Sequence, residues 1–152
     1  MKQKILFTVF CLFSLNIFGQ NYNIIIQVND EILLGGIGGL YISNNDKKDE
    51  IRIPPQYYVG DLIIPEYRKD DFDNLNERFL LSFDYYTYKN NKQEIKRFNI
   101  ELTRNLLEKP YLIINIYDFR NRKYKKWFQY ITDKDYLVQF ICPNCPLYIK
   151  QK

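Results

Sequence analysis

The chain has 152 residues, 46% of them apolar and 17% aromatic, with a net charge of +4 and no histidine. That length and apolar content are enough to bury a core, which argues against disorder. Without imidazole, a Ser-His-Asp triad, a Cys-His pair and any histidine-liganded metal site are excluded.

Residues 1–20 (MKQKILFTVFCLFSLNIFGQ) have the layout of a secretory signal peptide. Lys2 and Lys4 form a basic start, residues 5–18 an apolar run, and Gly19-Gln20 a polar exit. The apolar run is shorter than the ~20 residues that cross a bilayer as a helix. Cleavage is expected after Gln20, leaving residues 21–152 as a single domain that is not an integral membrane protein. Cleavage takes two lysines and no acid, so the net charge falls to +2. That charge supplies no drive toward nucleic acid. Cys142 and Cys145 remain, an even pair of the kind that forms disulfides in exported chains.

The mature chain reads as strands in sequence. Residues 22–29 (YNIIIQVN) are β-branched. Residues 39–43 and 50–53 flank the polar loop 44–49, which predicts a hairpin with a long tip. Residues 57–64 (YYVGDLII) predict a further strand between Pro54-Pro55 and Pro65. The acidic stretch 69–78 (KDDFDNLNER) reads as a solvated linker. Residues 79–89 and 93–102 pair around Asn90-Asn91, residues that tolerate left-handed backbone. Phe98, Ile100 and Leu102 alternate with polar neighbours, as in a strand with one buried face. Ile95 is out of phase with them, which predicts a bulge. Residues 103–109 predict one helical turn ended by Pro110. Residues 111–119, 124–131 and 136–142 complete eight or nine strands, and residues 136–142 suit an edge open to pairing with another chain. The basic run Arg120, Arg122, Lys123, Lys125 and Lys126 falls on a solvated hairpin edge.

Short strands at this spacing predict an all-β fold, a single antiparallel sandwich. A doubly wound α/β fold needs crossover helices, and no stretch predicts them. Residues 98–118 resemble the strand, leucine-proline corner and tyrosine-led strand of fibronectin type III and other immunoglobulin-like modules. That resemblance implies a sandwich of that kind.

Four features bear on chemistry. Cys142-Pro143-Asn144-Cys145 fits a β-turn, whose ends lie close enough for a disulfide. A thioredoxin-like role fails because only seven residues follow Cys145, and a zinc site lacks two further ligands. Asp71, Asp73 and Glu77 lie in a stretch dense enough in hard oxygens for calcium, but EF-hand spacing is absent, which favours a solvated turn. Gly35-Gly36-Ile37-Gly38-Gly39 precedes strand-like LYIS rather than a helix, so it reads as a loop or bulged strand, not a phosphate cradle. Tyr86, Tyr88 and Trp127 place amphipathic rings on exposed strand faces, where they and the glycine segment at Gly36 and Gly38 suit partner contact. The reading is therefore an exported, non-catalytic binding or structural module of the periplasm or cell surface, with a protein or glycan partner and no cofactor. The alternatives are a small redox or metal-handling protein using the two cysteines, and a carbohydrate-binding module.

Overall fold

A computed structural model describes residues 19–35, 37–44, 51–89 and 91–146. Residues 1–18, which make up most of the expected signal peptide, Gly36, residues 45–50 and Asn90 lie outside the described residues, as do residues 147–152. The described strands fall in two sheets. The first has the order β10-β9-β1-β6-β5, where β1 is Gln20–Val28, β5 Gln56–Tyr58, β6 Gly60–Ile64, β9 Leu112–Asp118 and β10 Tyr136–Ile141. The short β2, Glu31–Ile32, also pairs with β1. The second has the order β4-β3-β7-β8, with β3 Ile37–Asn44, β4 Arg52–Ile53, β7 Arg78–Lys89 and β8 Lys92–Thr103. One core draws Ile24, Ile26, Ile114 and Ile116 from the first sheet and Phe83, Phe98, Ile100 and Leu102 from the second.

The prevalence of strand follows the expectation, but the antiparallel rule breaks at one pair. β1 runs parallel to β9, with Ile24 opposite Leu112 and Val28 opposite Ile116. Parallel neighbours need a long crossover, usually helical. Here the second sheet, which lies between them in sequence, supplies it.

Several local expectations are corrected. Residues 57–64 form two strands rather than one: Tyr58 pairs with Asp61 across a two-residue turn in which Gly60 has φ +96°. That conformation is costly for any residue with a Cβ. The acidic linker contains a short helix, α1 (Lys69–Asp73), after a 3-10 turn at Glu66–Arg68. Phe72 and Leu75 bury on the core, and the Arg104 guanidinium donates to the carbonyls of Phe72, Asp73 and Leu75 at 2.7 to 2.9 Å. The Leu75 amide also donates to the Phe72 carbonyl at 3.1 Å, so Arg104 adds to the partners of the carbonyls at the helix end. Residues 124–131 form no strand but contain most of a helix, α3 (Arg122–Phe128). The Asn121 side chain accepts from the Lys123 amide at 3.0 Å and caps it. Tyr124, Trp127, Phe128 and Ile131 are spaced i, i+3, i+4 and i+7, a helical stripe. That stripe packs on Tyr117 and Leu137, on the side of β9 and β10 away from the main core. The basic run therefore lies on and before a helix, not on a hairpin edge. The helical turn expected before Pro110 is present as α2 (Arg104–Leu107).

The β7–β8 hairpin contains no bulge at Ile95. Its register is continuous from Arg78↔Thr103 to Lys89↔Lys92, with Asn91 at φ +59° in the turn. The residue in phase with Phe98, Ile100 and Leu102 is Lys96, so a lysine rather than Ile95 enters the interior.

Candidate functional site

Strand alternation sends Asp84, Tyr86 and Tyr88 of β7 to the face of the second sheet opposite the core. Their cross-strand neighbours on β8 are Arg97, Ile95 and Gln93. Tyr88 is 76% exposed and Ile95 60%. On β3 the register shifts between Gly38 and Tyr41, where Gly39 has φ +53°. This is a bulge with glycine in the left-handed region, one of the two forms the glycine segment predicted. A Cβ on Gly38 would overlap the Tyr86 hydroxyl and ring carbons. The absence of a side chain there therefore lets the Tyr86 ring lie against the strand.

Arginines extend the same face. The Arg52 and Arg97 guanidiniums sit 4.8 and 5.3 Å from the Tyr41 ring centre. Asp84 Oδ1 is 3.5 Å from Arg97 Nε. The arrangement is an open platform of aromatic rings and planar polar groups, suited to stacking and hydrogen bonding with a flat partner surface. Of the residues singled out in the sequence, Gly38, Tyr86 and Tyr88 meet here. Tyr41, Ile95, Arg97 and Asp84 were missed. Strand parity relative to Tyr86 was the available signal for Asp84 and, through the hairpin, for Arg97 and Ile95.

The other singled-out residues lie elsewhere. Trp127 sits on α3, edge-on to Tyr124 at 5.6 Å and with Lys123 Nζ 4.7 Å above its ring. It belongs to the aromatic cluster over β9 and β10. Cys142 and Cys145 are joined by a disulfide with Cα atoms 5.2 Å apart. The Cys145 amide donates to the Cys142 carbonyl at 3.1 Å, and Asn144 has φ +65°, as at the third position of a type II turn. Asp71 Oδ2 lies 3.0 Å from Arg68 Nε. Among the described residues, no three Cys, Asp or Glu side chains are grouped to hold a metal ion, so Asp71, Asp73 and Glu77 form no such group. The start of the glycine segment borders a separate apolar cleft of about 360 Å³, lined by Leu34, Ile37, Tyr57, Tyr58 and Val59.

The densest charge is buried between the sheets. Lys96 Nζ lies 2.8 Å from Asp118 Oδ1 at the end of β9 and 2.9 Å from Asp135 Oδ2. The Asp118 side chain is 4% exposed, and Arg120 Nε and Nη2 each reach its Oδ2 at 2.7 Å. Burial alone would raise the Asp118 pKa. The bonds from Arg120 and Lys96 outweigh burial and hold its carboxyl below the usual carboxylate range. Every charge in this cluster faces an opposite one, and the cluster ties β8 to β9 across the two sheets.

A second polar group lies under α3. Asn115 Nδ2 donates to Asp30 Oδ1 at 2.8 Å, and the Tyr124 hydroxyl donates to Asp30 Oδ2 at 2.9 Å. Burial first, then the neighbouring Asp30 carboxylate, pushes the Tyr117 and Tyr124 hydroxyls up to about 12, so both rings stay neutral donors. Comparison of the chain with protein-family models, curated proteins and solved structures found no match.

Proposed function

We propose that this chain is an exported, non-catalytic binding module that contacts its partner through the open face of the second sheet. The observation that carries the reading is Tyr86 lying over Gly38 beside exposed Tyr88 and Ile95. An apolar, aromatic face left to solvent marks a site of interaction. The buried Lys96 and Asp118 charges are neutralised by each other and by Asp135 and Arg120, which supports binding rather than chemistry. The leader-like start and the disulfide support export, since disulfides persist in oxidising compartments. We read the two sheets as an immunoglobulin-like sandwich. Their shared core supports this, as does the chain passing from one sheet to the other at the corner 104–110. Tyr111 is half-exposed just ahead of β9, and the parallel β1–β9 pair departs from that plan.

A glycan is the second reading, favoured by the Tyr86 ring lying along the sheet with Asp84 and Arg97 nearby. Two measurements test the proposal. The intact mass of protein recovered from its native host should begin at Asn21. Retention on a glycan array and on host cells should fall about thirtyfold or more in the Tyr86→Ala/Tyr88→Ala variant, the loss of a two-ring hot spot. A mass beginning at Met1 overturns export, and unchanged retention overturns the face.

A further inference from the structure

We infer that two copies of this chain associate through β10, whose free edge pairs antiparallel with its own equivalent across a two-fold axis. The inference is independent of the binding face proposed above.

The backbone of β10 sets the geometry. The Phe119 amide donates to the Asp135 carbonyl at 3.0 Å, in the same register that places Tyr136 opposite Asp118. Hydrogen-bonded pairs alternate along an antiparallel ladder. Leu137, Gln139 and Ile141 therefore bond to β9, while the N–H and C=O groups of Tyr136, Val138 and Phe140 point away from it. The Asn29 amide donating to the Ile116 carbonyl at 2.8 Å confirms the alternation, because it shows that Ile116 faces β1. Among the described residues, β9 is the sole strand neighbour of β10.

The other sheet edges carry the usual protections. β5 is three residues long and follows Pro54-Pro55, and β4 is two residues long. The exposed side of β8 carries Arg97 and Glu101. The Tyr136 hydroxyl occupies its middle, donating to the Asn99 carbonyl at 2.8 Å and accepting from the Asn99 amide at 3.3 Å. β10 (YLVQFI) has no charge, no proline and, among the described residues, no such plug.

A second β10 is complementary to the first. Centred on Val138, an antiparallel pair sets Val138 against Val138 and Tyr136 against Phe140 twice. The outward backbone groups are then used in full, and no like charges oppose. Aromatic and β-branched cross-strand pairs favour such contacts. Val138 and Phe140 are core residues left partly open, and they border a groove of about 300 Å³ together with Ile100 and Leu137. The added strand covers that groove, and the isologous contact closes as a dimer.

The test is sedimentation equilibrium of the full chain over a wide concentration range, with hydrogen exchange at both extremes. The mass should rise toward twice the monomer value, and the Val138 and Phe140 amides should exchange more slowly at high concentration. Val138→Pro removes an N–H that faces away from β9, a position where proline is tolerated on an edge strand. It should give a monomer with an unchanged far-UV spectrum. A wild-type monomer at every concentration overturns the inference, as does a Val138→Pro variant that folds and still dimerises. Protection of the two amides that does not change with concentration also overturns it, because the edge is then covered within one chain. The wild-type exchange result decides the matter even where the proline variant fails to fold.

Discussion

Asp118→Asn is the most demanding test of how the two sheets are held together. The wild-type carboxylate accepts from Lys96 at 2.8 Å, from the Arg120 guanidinium twice at 2.7 Å and from the Arg120 amide at 3.0 Å. The side chains of Lys96 and Asp118 are 9% and 4% exposed. The amide keeps the shape but loses the charge, and turns a donor toward cations. Removing one partner of a buried pair costs about 3–5 kcal/mol. Arg120 is about one-third exposed and can turn to Glu94, 3.5 Å away, so the lower end applies. About 3 kcal/mol corresponds to a fall in Tm of roughly 6–12 °C for a chain of this size. Asp135→Asn is the control: its carboxylate is 74% exposed and screened, so it should cost at most about 1 kcal/mol. The pH dependence follows from the same cluster. A carboxyl held low in the folded state contributes stability above its unfolded pKa of ~3.9, and that stability is lost as pH falls through the folded value. The gap between wild type and Asp118→Asn should be full at pH 7 and narrow below about pH 4. Urea melts at pH 7, 5 and 3 measure it. A cost under about 1 kcal/mol at pH 7, or a gap that widens on acidification, refutes the clamp.

Other perturbations read separate parts of the account. Gly38→Val drives a side chain into the Tyr86 ring, so it should cost about 1–3 kcal/mol and weaken partner binding, as Tyr86→Ala should. Tyr88→Ala should change stability by no more than about 0.5 kcal/mol in a urea melt, as ordinary surface substitutions do, while weakening binding. Phe72→Ala should cost about 3–5 kcal/mol in a urea melt, because that side chain is fully buried although it lies in an acidic stretch. Cys142→Ser/Cys145→Ser opens a four-residue loop, for which chain entropy gives about 2 kcal/mol at most, so a calorimetric Tm should fall by only a few degrees.

Period-two alternation made the strands legible, and the β7–β8 hairpin most clearly, because each of its strands buries one face. The turn through Asn91 and the disulfide across Pro143-Asn144 are readable for a local reason: both are settled by local φ preferences. The helix at 122–128 was obscured because Tyr124, Trp127, Phe128 and Ile131 also satisfy a loose strand reading, and only the cap at Asn121 separates the two. The parallel β1–β9 contact joins residues nearly ninety apart, so no window of sequence carries it. Lys96 holds the core phase of β8, where a lysine implies a buried anion. Its partner at Asp118 is set by the packing of the two sheets. Tyr86 and Tyr88 were found by residue type and Gly38 by its place in the glycine segment. The link between them depends on the β3 bulge, which only the register shows.

The most direct test of the binding face is site-specific photocrosslinking in the native host. A benzophenone side chain is placed at Tyr88, and another at Tyr67, which is equally exposed, at 79%, but lies on the turn before α1. The account predicts a discrete adduct from position 88, none from position 67, and loss of the first when Tyr86 is also changed to Ala. Equal adducts at both positions, or an adduct at 88 that survives Tyr86→Ala, would contradict it.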